Sequence, residues 1–152
     1  MPAADVYLDT SALVKYYVAE PFSEDVERYV SSLVRPFIST LTIVEWNYAL
    51  ARRERMGALS RAYRTLAQRE FNQQLTEGLF RVQSVDDSTF RLAVVLLDDT
   101  DPMPLRTLDA LHLAAARACR VQLIATADRI MADASRHLGL DVRAFFRVDK
   151  DV

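Results

Sequence analysis

The sequence predicts an α/β fold of three layers, in which a central, mostly parallel β-sheet is flanked by helices. Short apolar runs of strand length alternate with longer amphipathic stretches of helix length, and this alternation is typical of parallel βαβ units. Several strand-like runs end in polar residues next to a predicted helix start, where α/β folds place their chemistry. The length of 152 residues, with only 3 Gly and 5 Pro, indicates a single domain over residues 1–152 without linkers.

The first predicted strand ends at a carboxylate. Val6–Leu8 form an apolar run, Asp9, Thr10 and Ser11 follow it directly, and a short helix is predicted over residues 12–17. An aspartate in this place is by itself explained by helix capping. Asp9 becomes a candidate functional residue only if other parts of the chain bring further polar side chains close to it.

Hydroxyl side chains mark the predicted starts of the next helices. Ser23 is the predicted N-cap of a second helix, Thr40 or Thr42 of a third, and Ser60 of a fourth. The third and fourth helices are predicted to be antiparallel neighbours. The elements of this half are a helix from Ser23 with Val26, Tyr29, Val30 and Leu33 on one face, a strand over residues 36–39, a helix to about Arg55 with apolar positions Leu41, Val44, Tyr48 and Ala51, and a helix from Ser60 to about Thr76.

The second half of the chain continues the alternation. Asp86 or Asp87 is the predicted cap of one helix, and Asp128 precedes another. Two prolines indicate a loop over residues 98–107, and its acidic run Asp99-Thr100-Asp101 is predicted to be solvated. The remaining predicted elements are strands over residues 80–83, 121–126 and 142–146 and helices over residues 90–97, 108–116 and 129–138.

Charge and composition exclude some classes of protein. A formal net charge of -2, from 19 basic and 21 acidic groups, gives no strongly positive field for nucleic acid. No apolar run approaches the roughly 20 residues that span a bilayer. Cys119 is the one cysteine, which permits neither an internal disulfide nor a cysteine-based zinc site. We therefore expect a cytoplasmic protein. Its cations are nearly all arginine, with Lys15 and Lys150 as the only lysines.

Four acids are predicted to meet at one edge of the sheet. Asp9 and Asp128 fall just after strand ends, and Glu45 and Asp109 fall in the first turns of helices, so all four can face the edge where parallel strands end. Two carboxylates about 4 Å apart repel by roughly 4 kcal/mol near a protein surface. A divalent cation such as Mg²⁺ or Mn²⁺ resolves this repulsion, polarises a phosphoryl group and activates a water for attack. The pattern therefore predicts metal-assisted phosphodiester hydrolysis.

These residues resemble the PIN-domain nucleases and, within them, the VapC toxins of type II toxin–antitoxin modules. The resemblance implies a Mg²⁺- or Mn²⁺-dependent endoribonuclease, commonly dimeric, that a VapB-like antitoxin holds inactive. It covers nearly the whole chain and lies in four segments in the family's order, Leu8-Asp9-Thr10-Ser11-Ala12-Leu13, Thr42-Ile43-Val44-Glu45-Trp46, Leu105-Arg106-Thr107-Leu108-Asp109-Ala110-Leu111-His112-Leu113-Ala114 and Ala125-Thr126-Ala127-Asp128.

The resemblance also implies roles for individual positions. Asp9 and Asp109 match the principal metal-ligating aspartates, Glu45 matches the acid on the third helix, and Asp128 matches the fourth acid. The implied catalytic set is these four acids, with Glu45 and Asp128 as further candidate metal ligands. Hydroxyl positions that support the carboxylates are matched by Thr10, Ser11 and Thr126.

Each acid also has a purely structural explanation. Asp9, Asp109 and Asp128 stand where aspartate caps helices or favours their first turn, and Glu45 can pair with a nearby arginine. His112 lies three residues after Asp109 and can share a metal with it. The other candidate ligands suit a harder metal, however, which favours a packed, hydrogen-bonded histidine.

Arginines cluster on the third and fourth helices. They can contact RNA phosphates beside the acids, or they can form a solvated face paired with Glu54 and Glu70. Apolar residues of the same helices, Trp46, Tyr48 and Leu50, can form core, an antitoxin groove or a dimer surface. The arginines are Arg52, Arg53, Arg55, Arg61, Arg64 and Arg69.

Other functions fit parts of the pattern. A phosphatase of the haloacid dehalogenase type needs a second aspartate two residues after Asp9, where this chain has Ser11. A receiver domain needs a lysine near the site, and Lys150 is poorly placed for it. A housekeeping PIN-domain RNA-processing nuclease and a non-catalytic acidic binding module stay open as alternatives.

Overall fold

A parallel β-sheet forms the middle layer of this computed structural model, which describes residues 4–148. Its strands are β1 (Val6–Leu8), β2 (Phe37–Ser39), β3 (Arg81–Gln83), β4 (Leu123–Thr126) and β5 (Asp141–Ala144). They lie in the order β3-β2-β1-β4-β5, and every pairing is parallel. Central β1 therefore ends at the middle of the sheet's carboxyl edge. Lys150, which bears on the receiver-domain alternative, lies outside the described residues.

Helices cover both faces of the sheet, and the expected three-layer α/β fold is confirmed. Val6 and Leu8 of β1 belong to one hydrophobic core, and Tyr7 between them belongs to a second, because successive side chains of a strand point to opposite faces. Helices α1 to α4 pack on the first core and α5 to α7 on the second. The helices are α1 (Thr10–Tyr17), α2 (Ser23–Ser31), α3 (Thr40–Arg55), α4 (Arg61–Thr76), α5 (Asp87–Thr100), α6 (Thr107–Ala118) and α7 (Arg129–His137).

Two of the predicted helix caps are wrong. Helix α3 is capped by Ser39, whose hydroxyl accepts from the backbone N–H of Thr42, while the Thr42 hydroxyl accepts from the backbone N–H of Ser39. Ser23 is the first residue of α2 rather than its cap, and its hydroxyl donates to the carbonyl of Val18. Ser39 has the extended backbone of an N-cap, whereas the residue before α2, Phe22, makes no side-chain cap hydrogen bond. Ser60 caps α4 as expected.

The buried face of α3 also differs from the prediction. Trp46 and Leu50 are fully buried, whereas the side chains of Val44 and Tyr48 are 68% and 59% exposed. Residues two positions apart on a helix are rotated by about 200° around its axis and so lie on nearly opposite sides. A helix that buries residues 46 and 50 therefore exposes residues 44 and 48. Trp46 packs against Phe71 of α4 at a ring-centroid distance of 4.3 Å, and this contact places Trp46 in the core.

The segment before α6 is more helical than predicted. Residues 98–100 extend α5, and the buried Thr100 donates its hydroxyl to the carbonyl of Leu96. Asp99 and Asp101 are exposed, so only these two residues of the acidic run are solvated as predicted. Strand β4 is two residues shorter than predicted at its start, and β5 spans residues 141–144 instead of 142–146. None of the helices among residues 4–148 is long and apolar enough to span a membrane.

Candidate functional site at the carboxyl edge of the sheet

The fold brings the four predicted acids to one open cleft of about 750 Å³. Asp9 follows β1 and Asp128 follows β4, and these two strands are neighbours in the sheet. Glu45 reaches the cleft from α3, and Asp109 reaches it from the first turn of α6. The parallel topology is sufficient to explain this convergence, because both strands end at the same edge.

Asp9 is held by three hydrogen bonds and is almost entirely buried. Its Oδ1 accepts from the backbone N–H of Thr10 at 2.9 Å, and its Oδ2 accepts from the hydroxyls of Ser11 and Thr126 at 2.7 and 2.8 Å. Burial raises the pKa of Asp9, and the charge of His112 and the two hydroxyl hydrogen bonds partly oppose that rise. A buried carboxylate of this kind is stabilised by any cation that enters the cleft.

The hydroxyl residues tie the ends of β1 and β4 together. Ser11 Oγ accepts from the backbone N–H of Ala127 at 2.9 Å, and Thr126 Oγ1 accepts from that of Asp128 at 3.0 Å. The two hydroxyls lie 3.1 Å apart. Asp9 therefore sits in a scaffold that leaves its carboxylate little freedom to rotate.

Glu45 and His112 form an ion pair that lines the cleft, in which His112 is buried and Glu45 is partly buried. Glu45 Oε1 accepts from the Thr10 hydroxyl at 2.8 Å and from His112 Nε2. Tyr7 donates its one proton to Ser39 Oγ at 2.8 Å, so His112 Nδ1, 2.7 Å from the Tyr7 oxygen, is the donor there. Both ring nitrogens of His112 are donors, which is the hydrogen-bonding pattern of the imidazolium.

The pKa directions agree with this pattern. Burial alone would lower the pKa of His112, but the hydrogen bond to Glu45 and the charges of Asp9 and Glu45 outweigh it and raise the pKa. Burial alone would raise the pKa of Glu45, but the hydrogen bond from His112 and its charge lower it. His112 is thus a packed, hydrogen-bonded residue, as expected, and it supplies a positive charge 3.8 Å from Asp9 Oδ1.

Arg106 connects the other two acids. Its Nε donates to Asp109 Oδ2 at 2.8 Å and its Nη2 to Asp128 Oδ2 at 2.5 Å. Asp128 also caps α7, because its Oδ1 accepts from the backbone N–H groups of Ile130 and Met131. Capping and a place in the cleft are therefore compatible, since each uses a different oxygen of Asp128.

The donor set fits a hard divalent cation. The four candidate acids offer carboxylate oxygens, the ligands that Mg²⁺ and Mn²⁺ prefer. Within residues 4–148, no three acidic, histidine or cysteine side chains are arranged as a ready-made metal site. Asp109 and Asp128 are instead paired with Arg106, and Glu45 with His112. A divalent ion at these oxygens would compete with those internal cations.

The predicted RNA-contacting arginines fall into separate groups. Arg52 and Arg53 line the cleft, and Arg53 is paired with Glu20 at 2.6 Å. Arg55 lies over the ring of Tyr48 at 5.8 Å. Arg61 and Arg64 lie outside the cleft and bind Glu54 at 3.1 and 2.8 Å, and the Asn47–Gln68 hydrogen bond continues this antiparallel contact between α3 and α4.

Sequence reasoning missed two cations of the cleft, Lys15 and Arg106. The spacing of Arg106 to Asp109 is a signal that could have been used, because residues three apart at a helix start can form an ion pair. Nothing local marks Lys15. It enters the cleft because α1 and α3 line it together, and it lies 3.5 Å from Glu20, five residues further along the chain.

Comparison with known proteins identifies the family of this chain. Residues 6–136 match the model of the PIN domain. The chain is 38% identical over 143 residues to Ribonuclease VapC46 of Mycobacterium tuberculosis. The alignment covers 93% of this chain and 98% of the relative.

Solved structures share the fold at low sequence identity. Mycobacterium tuberculosis VapC20 is described as a sarcin–ricin-loop-cleaving toxin. Its structure matches this chain with a TM-score of 0.68 and 18% identity, and the match covers 86% of this chain and 95% of that one. A toxin–antitoxin complex from Klebsiella pneumoniae has a TM-score of 0.62 and 14% identity, covering 95% of this chain and 100% of that one. The chain belongs to the PIN-domain family and, within it, to the VapC-like proteins.

Proposed function

We propose that this chain is a divalent-metal-dependent endoribonuclease of the VapC toxin type, acting in the cytoplasm. The observation that carries the proposal is the convergence of Asp9, Glu45, Asp109 and Asp128 on one cleft. The 38% identity to Ribonuclease VapC46 supports RNA as the substrate class. The description of VapC20 as cleaving the sarcin–ricin loop supports single-stranded or loop regions of a structured RNA.

The four acids have distinct tasks in this proposal. Asp9 and Asp109 would hold the ion, with Glu45 and Asp128 as further ligands, and the bound ion would supply the Lewis acidity for phosphodiester hydrolysis by water. Thr10 positions Glu45 by donating to its Oε1, while Ser11 and Thr126 orient the carboxylate of Asp9. The low pKa of Glu45 keeps that carboxylate ionised.

Hydrolysis by water predicts the chemistry of the cut ends. The purified chain should cut a structured RNA to products with a 5′-phosphate and a 3′-hydroxyl, because the attacking oxygen comes from water and not from the ribose. End-labelling with and without prior phosphatase treatment, together with mass spectrometry of short products, identifies the ends. Products with a 5′-hydroxyl and a 2′,3′-cyclic phosphate would contradict the proposal, since they require attack by the 2′-hydroxyl.

The cations beside the acids are proposed to bind the RNA backbone. Arg52 lines the cleft, is exposed and has no ion-pair partner among the described residues. Arg52→Ala is expected to weaken RNA binding about threefold and to reduce the salt dependence by about one counterion. The measurement is fluorescence anisotropy with a labelled RNA hairpin, made in an Asp9→Asn background so that the RNA is not cut.

Arg61→Ala is the matched control for this experiment. The Arg61→Ala change removes the same charge from the neighbouring helix, but Arg61 lies outside the cleft and is paired with Glu54. It should leave both the affinity and the salt slope close to those of the parent chain. Equal losses from the two variants would contradict a path for RNA along the cleft and would favour general attraction.

An antitoxin partner and a homodimer belong to the same proposal. Val44, Tyr48 and Leu108 are exposed beside the acids, at 68%, 59% and 46%, and such a surface suits an apolar segment of a partner. The toxin–antitoxin assembly of the Klebsiella pneumoniae protein supports a VapB-like partner. A small protein encoded beside this gene that copurifies with the chain and stops its cleavage would distinguish a toxin from a housekeeping nuclease.

A further inference from the structure

Arg106 occupies the space between two proposed metal ligands. Its guanidinium meets both oxygens of Asp109, with Nε 2.8 Å from Oδ2 and Nη2 3.4 Å from Oδ1. The same Nη2 lies 2.5 Å from Asp128 Oδ2. One side chain therefore pairs with two carboxylates, one in the first turn of α6 and one at the N-cap of α7.

The two carboxylates are anchored, whereas the guanidinium is not. Asp109 Oδ2 also accepts from the backbone N–H of Arg106, and Asp128 Oδ1 accepts from the backbone N–H groups of Ile130 and Met131. The Asp109 side chain is only 11% exposed, while that of Arg106 is 61% exposed. When another cation competes for the oxygens, the long arginine side chain is the part that can move into solvent.

We propose that Arg106 is a built-in counter-ion that must leave Asp109 and Asp128 before a divalent ion binds, so that its competition sets the metal affinity of the cleft. This inference rests on the proposed metal-dependent function. The guanidinium and the divalent ion need the same oxygen atoms, and two cations at such a short separation repel each other. Metal-free protein then avoids the repulsion of adjacent carboxylates, while metal binding is weakened by the ion pairs it must break.

The test is the affinity for Mn²⁺ of the wild-type chain and of Arg106→Gln, measured by isothermal titration calorimetry and by the electron paramagnetic resonance signal of free Mn²⁺. Arg106→Gln is expected to bind Mn²⁺ about tenfold more tightly, because the competing ion pairs are gone. Without metal the variant should melt at a lower temperature than wild type, and Mn²⁺ should raise its melting temperature by more.

Two further variants make the comparison specific. Arg106→Lys keeps a positive charge without the planar fork that spans both carboxylates, and it should bind Mn²⁺ with an affinity between those of wild type and Arg106→Gln. It also serves if Arg106→Gln does not fold. Arg91→Gln removes the same charge from the exposed face of α5, outside the cleft, and should bind Mn²⁺ as wild type does.

The outcomes separate this inference from the proposed function. If wild type binds Mn²⁺ and Arg106→Gln binds it equally or more weakly, Arg106 does not compete with the ion, and the inference is overturned while the proposed function stands. If neither wild type nor any variant binds Mn²⁺, the metal-dependent function fails as well. Tighter binding by Arg91→Gln to the same extent would assign the effect to net charge and would also overturn the inference.

Discussion

Replacing Asp9 with asparagine is expected to lower RNA cleavage by about a thousandfold or more while the fold survives. The loss is large because the variant removes the charge of a central carboxylate, and single residues of a catalytic set commonly contribute effects of this size. The fold survives because asparagine has nearly the same shape, and because the hydroxyls of Ser11 and Thr126 can reorient to meet either an oxygen or an NH₂ group.

Asp5→Asn is the matched control for Asp9→Asn. Asp5 precedes the same strand at its opposite end and pairs with Arg81 at 2.6 Å, so the variant makes the same chemical change far from the cleft. Initial cleavage rates of a structured RNA, together with circular dichroism melts, give both readouts. An Asp9→Asn chain that cuts at the wild-type rate would contradict the site assignment, and equal losses from both variants would point to a general effect.

Removing divalent metal is expected to stop cleavage without unfolding the protein. Cleavage should fall to background in EDTA and return with added Mg²⁺ or Mn²⁺, because the carboxylate cleft by itself offers no Lewis acid. The fold should persist, since each of the four acids already has an ionic contact with Arg106 or His112. Added metal should raise the melting temperature as a ligand of the folded state.

Cleavage rate and melting temperature, measured on one sample before chelation, after it and after metal is restored, check both parts. Asp9→Asn should stay inactive when metal is restored, which excludes a contaminating nuclease. Undiminished cleavage in EDTA would show that cleavage does not need a divalent metal and that the acids act by a different chemistry. Unfolding in EDTA would instead show that Arg106 and His112 do not compensate the cleft.

The positions of the acids were predictable because they follow from local rules combined with one topological rule. Asp9 and Asp128 come directly after apolar strands, and parallel strands end at one edge. Asp109 lies in the first turn of a strongly helical stretch. These features need no knowledge of how distant side chains pack, so the sequence was sufficient for them.

The face of α3 and the arginine partners were not predictable in the same way. Tyr48 looks like a core residue in the sequence, yet 59% of its surface is exposed because Trp46 takes the core position against Phe71. Among the arginines, only packing decides that Arg52 lines the cleft while Arg61 binds Glu54 outside it. Periodicity alone does not distinguish two apolar stripes on one helix.

By itself, the sequence determined the α/β class, the order of the elements and the four acids, because caps, periodicity and strand-end residues act over a few positions. Only the tertiary structure decided which cations meet those acids. His112 reaches Glu45 across 67 positions, and Arg106 reaches Asp128 across 22. Such partners depend on which helices pack on which side of the sheet, and that choice is made by the burial of the whole core.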